Sequence, residues 1–100
     1  MSLSITVDNT VVSVEGEVDV SNADELRSAL DRQLESNVSE LSVDLSQVPY
    51  IDSTGIGVLV GTAHRAGERG VRFEVVRPQR NVARVLGLLG VSADLNVREA

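Results

Sequence analysis

The stretch Val48-Pro49-Tyr50-Ile51-Asp52-Ser53-Thr54-Gly55-Ile56-Gly57-Val58-Leu59-Val60 decides how this chain folds. Before it, Leu41, Val43 and Leu45 alternate with Ser42 and Asp44, the period-two pattern of a strand with one polar face. After it, Ile56, Leu59, Val60, Ala63 and Ala66 recur at helical spacing and predict an amphipathic helix from about Ser53 to Gly67. The segment is therefore a strand-to-helix transition, with two adjacent hydroxyls, Ser53 and Thr54, at the helix start. A hydroxyl there is a common N-cap. It is also a favourable place to add or remove a phosphate, because free backbone N–H groups and the helix dipole stabilise negative charge.

Working outward, short strands alternate with helices, without linker, repeat or low-complexity tract. Ile5 and Val7 form one alternating run, and Val12, Val14 and Gly16 a second beyond the Asp8-Asn9 turn. Ser21, with Asp24 three residues on, resembles a capping box opening a helix with Ala23, Leu26, Leu30 and Leu34 inward. Val71, Phe73 and Val75 predict another strand. Pro78 starts a last helix with Val82, Val85, Leu86 and Leu89 inward, and Gly90 stands where a left-handed C-terminal residue is expected. Polar residues at alternate strand positions imply one largely solvated sheet face, whereas a doubly wound sheet would show continuous apolar strands. The expected fold class is α/β (α+β), a small mixed β-sheet with helices packed mainly on one face, in a single domain over residues 1–100.

Composition narrows the chemistry. Of the 100 residues 42% are hydrophobic, nearly all aliphatic; Tyr50 and Phe73 are the aromatics, so no stacking platform for a base or cofactor is evident. Without cysteine there is no disulfide or thiolate chemistry, and with one histidine a nitrogen-rich metal site is not expected. No cofactor or metal is expected. The N-terminus has neither a basic region nor a long apolar run, which points to a cytoplasmic protein that does not enter a membrane. The net charge of −6 is unevenly spread: residues 1–52 carry −9 and residues 53–100 carry +3. An acidic chain with no clustered basic stripe is a poor nucleic-acid binder. The acidic run around Glu15, Glu17 and Asp19 could steer a basic protein partner or simply be a solvated surface.

Gly57 and Gly61 are unusual inside a helix, where each costs roughly 1 kcal/mol relative to alanine. With His64 they form a smooth ridge beginning one turn beyond Ser53. Close packing within the domain and a docking surface are both consistent with that ridge. A phosphate on Ser53 would disturb a docked partner through its bulk and about −1.5 to −2 units of charge, with Asp52 adding repulsion. Catalysis by Ser53 is not expected, because a serine nucleophile needs a base within hydrogen-bond reach. His64 lies eleven residues on, roughly 16 Å along a helix. The order Ile51-Asp52-Ser53-Thr54-Gly55 is not a nucleophile elbow, and a chain without lysine has no Walker loop. The hydroxyl reads as a substrate.

The run Asp52-Ser53-Thr54-Gly55-Ile56-Gly57-Val58-Leu59 resembles the signature of the STAS domain, in particular the anti-sigma factor antagonists of bacterial partner-switching systems. Gly16-Glu17-Val18-Asp19 with Ala23-Asp24-Glu25-Leu26, Leu41 to Val48, and Val82 to Leu86 with Gly90-Val91 are similar to further family segments. The resemblance implies a non-enzymatic switch. Its unphosphorylated form binds an anti-sigma factor that is also an ATP-dependent serine kinase, and so frees the sigma factor; phosphorylation breaks the complex and a metal-dependent serine phosphatase restores it. It implies Ser53 as phosphoacceptor, with Thr54 as second choice. The partner surface is expected to comprise Asp19, Asp52, Ser53, Thr54, Gly55, Gly57 and Gly61. Departures from the family pattern are Ile51 where methionine is frequent, Thr54, and few residues after Val97, where a terminal helix is expected to be trimmed or absent. The alternatives are a STAS subunit of a lipid-transport ATPase complex or stress-signalling assembly, and, from another class, a small-ligand or nucleotide binder.

Overall fold

The computed structural model describes residues 3–99. Its elements are β1 (Ser4–Asp8), β2 (Val11–Glu15), α1 (Ala23–Glu35), β3 (Glu40–Gln47), α2 (Ser53–Glu68), β4 (Arg72–Val76), α3 (Arg80–Leu88) and β5 (Val97–Arg98). The five strands form one sheet in the order β1-β2-β3-β4-β5. The β1–β2 hairpin is antiparallel and turns at Asn9, whose φ of 59° is one that asparagine tolerates. The remaining pairs are parallel, so the sheet is mixed, as the strand pattern predicts.

One face of the sheet carries Val12, Val14, Leu41, Val43, Leu45, Phe73 and Val75, all buried. The helices lie over it. Leu26, Leu30 and Leu34 of α1 and Ile56, Leu59 and Ala66 of α2 are buried in the same core, as are Val82 and Leu86 of α3. Full burial of one such leucine contributes roughly 1.5–3 kcal/mol. Arg65 of α2 reaches Asp31 of α1 at 2.7 Å, joining the two helices at their rim.

The opposite face is polar but less solvated than alternation alone suggests. Ser42 and Asp44 are both buried. Ser42 Oγ donates to Glu74 at 2.8 Å, and Asp44 pairs with Arg77 and accepts the Ser46 N–H at 2.8 Å. Burial pushes the Asp44 carboxyl up, but the Arg77 guanidinium and the Ser46 hydrogen bonds outweigh it, and its pKa lies below the usual value.

Several local features differ from expectation; α3 begins at Arg80, with Gln79 at its N-cap, two residues beyond Pro78. The first helix starts at Ala23 rather than Ser21, because the Ser21 hydroxyl turns back to Asp19 at 2.6 Å. Asn22 stands at the N-cap position, where its amide donates to the Glu17 carbonyl at 2.8 Å and accepts the Asp19 N–H at 2.9 Å. Val85 of α3 and Leu89 at its C-cap are exposed instead of inward, which leaves Val82 and Leu86 to anchor the helix. Strand β5 has no signature in the sequence, since two residues are too few for a period to register; pairing to β4, including Arg77 N–H to the Arg98 carbonyl at 2.7 Å, defines it.

Candidate docking and modification site

The parallel connections place the loops after β2, β3 and β4 at one end of the sheet, and all three helices begin there. The carboxyl ends of strands are where sites gather in open α/β sheets, since the loops there are free to vary. The loop after β2 runs beside the segment entering α2. Gly16 N–H donates to the Gln47 carbonyl at 3.1 Å, Val18 N–H to Tyr50 at 2.9 Å, and Asp52 N–H to Val18 at 3.0 Å. Val18 and Ile51 thereby extend the parallel pairing beyond the strand ends. Gly16 makes the turn with φ of 118°, which an L side chain rarely adopts.

Asp52 joins the two segments through its side chain. It stands at the N-cap of α2 in an extended conformation, and its Oδ1 accepts the Gly55 N–H at 3.0 Å. Its Oδ2 accepts the Val20 N–H at 3.2 Å. One carboxylate thus satisfies an orphan amide of the helix and pins the acidic loop to it. The capping function that Ser53 and Thr54 could have served belongs to Asp52, because the chain already adopts helical geometry at Ser53.

The two hydroxyls are left for other uses. Ser53 and Thr54 are exposed first-turn residues of α2, and neither side chain bonds a described residue. Asp19, in the adjoining loop, is half-buried. Its Oδ1 accepts the Ser21 hydroxyl at 2.6 Å and the Ser21 N–H at 2.9 Å, and these bonds lower its pKa from the ordinary carboxylate value. The loop is held in shape from within by Asp19 and from α2 by Asp52.

The glycines separate into two kinds. Gly55 is buried, and a Cβ there would lie 2.6 Å from Val18 Cγ1 and 2.8 Å from Ile51 Cγ1. Its smallness lets α2 pack under the acidic loop, so it supports the surface from below. A Cβ on Gly57 would meet nothing within 4 Å, and one on Gly61 would meet only the flexible end of Arg65, Nη1 at 3.3 Å. At 100° per residue Ser53, Gly57, Gly61, His64 and Glu68 share one outward stripe. His64 is exposed and faces Glu68 at 3.5 Å.

The residues Asp19, Asp52, Ser53 and Thr54 are therefore gathered at one end, with Gly57 and Gly61 running away from them along α2. Sequence reasoning did not foresee the double bond of Asp52, although an aspartate three residues before the Gly55 amide is a readable cap signal. It also passed over Arg80 and Arg84 on α3. Among the described residues no helix is long and apolar enough to cross a membrane, and no group of three or more histidines and carboxylates is placed to hold a metal.

The mixed sheet with its helices over one face is the fold of a solved anti-sigma factor antagonist. The STAS domain family model matches residues 1–100, and the chain belongs to that family. It is 28% identical over 88 residues to an anti-sigma-B factor antagonist of Staphylococcus epidermidis, covering 88% of this chain and 82% of the relative. An anti-sigma factor antagonist from Mycobacterium paratuberculosis is similar in structure, with a TM-score of 0.84 and 26% identity over 98% of this chain and 85% of that one. A Bacillus cell-fate determinant, SpoIIAA in its phosphorylated form, shares the fold at a TM-score of 0.68 and 17% identity, over 91% and 86% of the two chains.

Proposed function

We propose that this protein is an anti-sigma factor antagonist whose binding to an anti-sigma factor is switched by phosphorylation of Ser53. The observation that carries the reading is the exposed, unbonded Ser53 hydroxyl at the first residue of α2, beside Asp52, whose oxygens are already given to Gly55 and Val20. The hydroxyl is accessible to a kinase and is not activated from within. In this reading the unphosphorylated protein binds an anti-sigma factor that is also an ATP-dependent serine kinase, and a metal-dependent serine phosphatase resets it. The nucleotide and metal chemistry belongs to those partners.

The switch follows from charge and bulk. Asp19 and Asp52 make the end of the sheet acidic, and the open ridge at Gly57 and Gly61 allows close backbone approach. A phosphate of about −1.5 to −2 charge units on Ser53 would be repelled by the adjacent Asp52, and its bulk and hydration would occupy the space a partner needs. The antagonist role of the relatives supports the same role here, and the phosphorylated form of SpoIIAA supports a phosphate cycle by fold analogy.

Incubation with the cognate kinase and ATP is expected to add a single phosphate, located at Ser53 by mass spectrometry. Ser53→Ala should block the modification and retain kinase binding, whereas Ser53→Asp should weaken binding. Continued phosphorylation of Ser53→Ala, together with full binding by Ser53→Asp, would overturn the proposal.

A further inference from the structure

The last helix has an outer face that its own domain does not explain. Arg80 and Arg84 lie one turn apart on α3, both exposed, and neither pairs with any described carboxylate or carbonyl. Of the other arginines, Arg27, Arg65, Arg72, Arg77 and Arg98 each meet an acid within 4 Å and Arg69 donates to the Leu34 carbonyl at 3.1 Å, whereas Arg32 on α1 is unpaired but has no unpaired arginine beside it. With Asn81, the two free guanidiniums line an open depression of about 550 Å³. Leu88 continues their row one turn further and is 79% exposed, flanked by the exposed Val85. Val82 and Leu86, on the other side of the helix, anchor it to the core. Arginine and tyrosine are the residue types enriched at the centres of interfaces, and here two unpaired arginines stand near the exposed Tyr50, with an uncovered leucine one turn on.

This face joins the Ser53 surface. The Asn81 amide donates to the Pro49 carbonyl at 2.7 Å, and the half-exposed Tyr50 follows directly, three residues before Ser53. Gln79 reaches the Ser46 carbonyl at 3.0 Å, so the start of α3 is bonded to the segment that leads into α2. The sheet end therefore has two signs of charge. Asp19, Asp52 and the acidic loop lie on one side of Tyr50, and Arg80 and Arg84 lie on the other.

Resting on the antagonist reading, we infer that Tyr50, Arg80, Arg84 and Leu88 form a second contact zone for the same kinase, and that they receive an acidic patch with an apolar residue at its centre. The partner's face is then bipolar, basic opposite Asp19 and acidic opposite α3. Such a pattern fixes the orientation of docking as well as attracting the partner. An anionic membrane or a nucleic acid fits less well. The chain carries −6 overall, the acidic loop adjoins this face, and two arginines offer too few phosphate contacts. The zone does not include Ser53, so phosphorylation would weaken one half of the contact and leave the other in place.

The test is calorimetric binding of the ADP-loaded kinase, in which no transfer can occur, to the full chain. Its variants are Arg80→Gln/Arg84→Gln, Arg80→Glu/Arg84→Glu and Ser53→Asp. Charge reversal at α3 is expected to weaken binding at least about tenfold and neutralisation less, with the neutral variant less sensitive to salt than the wild type. Unchanged melting temperatures would show that the exposed substitutions leave the fold intact. If both arginine variants bind like the wild type while Ser53→Asp weakens, the second zone is wrong and the switch stands. Weakening by the arginine variants alone would keep the zone and overturn the switch. Absence of any kinase binding removes both, and cross-linking from position 88 only to another copy of the chain would replace the kinase as occupant.

Discussion

Gly55 and Gly57 lie within the first turn and a half of α2, yet one is sealed beneath Val18 and Ile51 and the other faces open space. The buried side of this turn is close-packed, so there the absence of a Cβ is a steric necessity. On the exposed side a glycine costs helix stability and returns nothing to the domain. The difference teaches that a glycine-rich helix start has to be divided by face before function is assigned to it. Gly55 shapes the loop that carries Asp19, and Gly57 leaves room above the helix.

Substitution can break this comparison. Gly55→Ala should destabilise by about 1–3 kcal/mol, since the methyl overlaps two branched side chains attached to backbone bonded in place. Urea denaturation would measure it, and a stability equal to the wild type would mean that the loop yields freely. Next in size is Asp52→Ala, expected to cost about 0.5–2 kcal/mol as a lost cap. It should also speed hydrogen exchange at both the Gly55 and Val20 amides. Asp52→Asn retains one carbonyl oxygen and so can protect only one of them. If Val20 exchanged as slowly in both variants, the carboxylate would not be the tie between helix and loop.

Gly57→Ala carries the opposite sign. It should stabilise by about 0.4–1 kcal/mol, because the added methyl meets nothing and alanine favours the helix. In the antagonist reading it should also reduce kinase affinity; a gain in melting temperature with undiminished binding would remove the ridge from the interface. The smallest effect is one of pH. The Asp19 and Asp44 carboxyls titrate below their ordinary value of about 3.9 in the folded protein. Their contribution to stability is therefore present above about pH 4 and lost as the pH falls through the lower folded values. Acid denaturation of Asp44→Asn should show a shallower loss than that of the wild type.

Much of the fold is legible in the sequence. Alternation at Leu41, Val43 and Leu45 and helical spacing at Ile56, Leu59 and Ala66 are strong periodic signals, and both elements form where the pattern puts them. The candidate site is legible as a neighbourhood, since Ser53 and Asp52 are adjacent in the chain. Asp19 requires the resemblance, because no local pattern says that residue 19 lies beside residue 52. The misplacements have different causes: a cap can be lost to a competing local bond, and a short element depends on a partner distant in sequence. Ser21 loses its capping role to a bond with Asp19, and β5 exists through its pairing to β4. Leu89 lies at the end of α3, where nothing remains to cover it.

By itself, the sequence determined the alternation of strand and helix, the absence of thiol chemistry and the hydroxyl pair at the start of α2. Those features depend on composition and local period, which are properties of consecutive residues. Tertiary structure alone decided that Asp52 holds both Gly55 and Val20, that Gly55 is buried while Gly57 is open, and that Arg80 and Arg84 stand uncovered near Tyr50. These are relations between residues far apart in the chain, as Val18 and Gly55 are, and parallel strand pairing brings them to one end of the sheet.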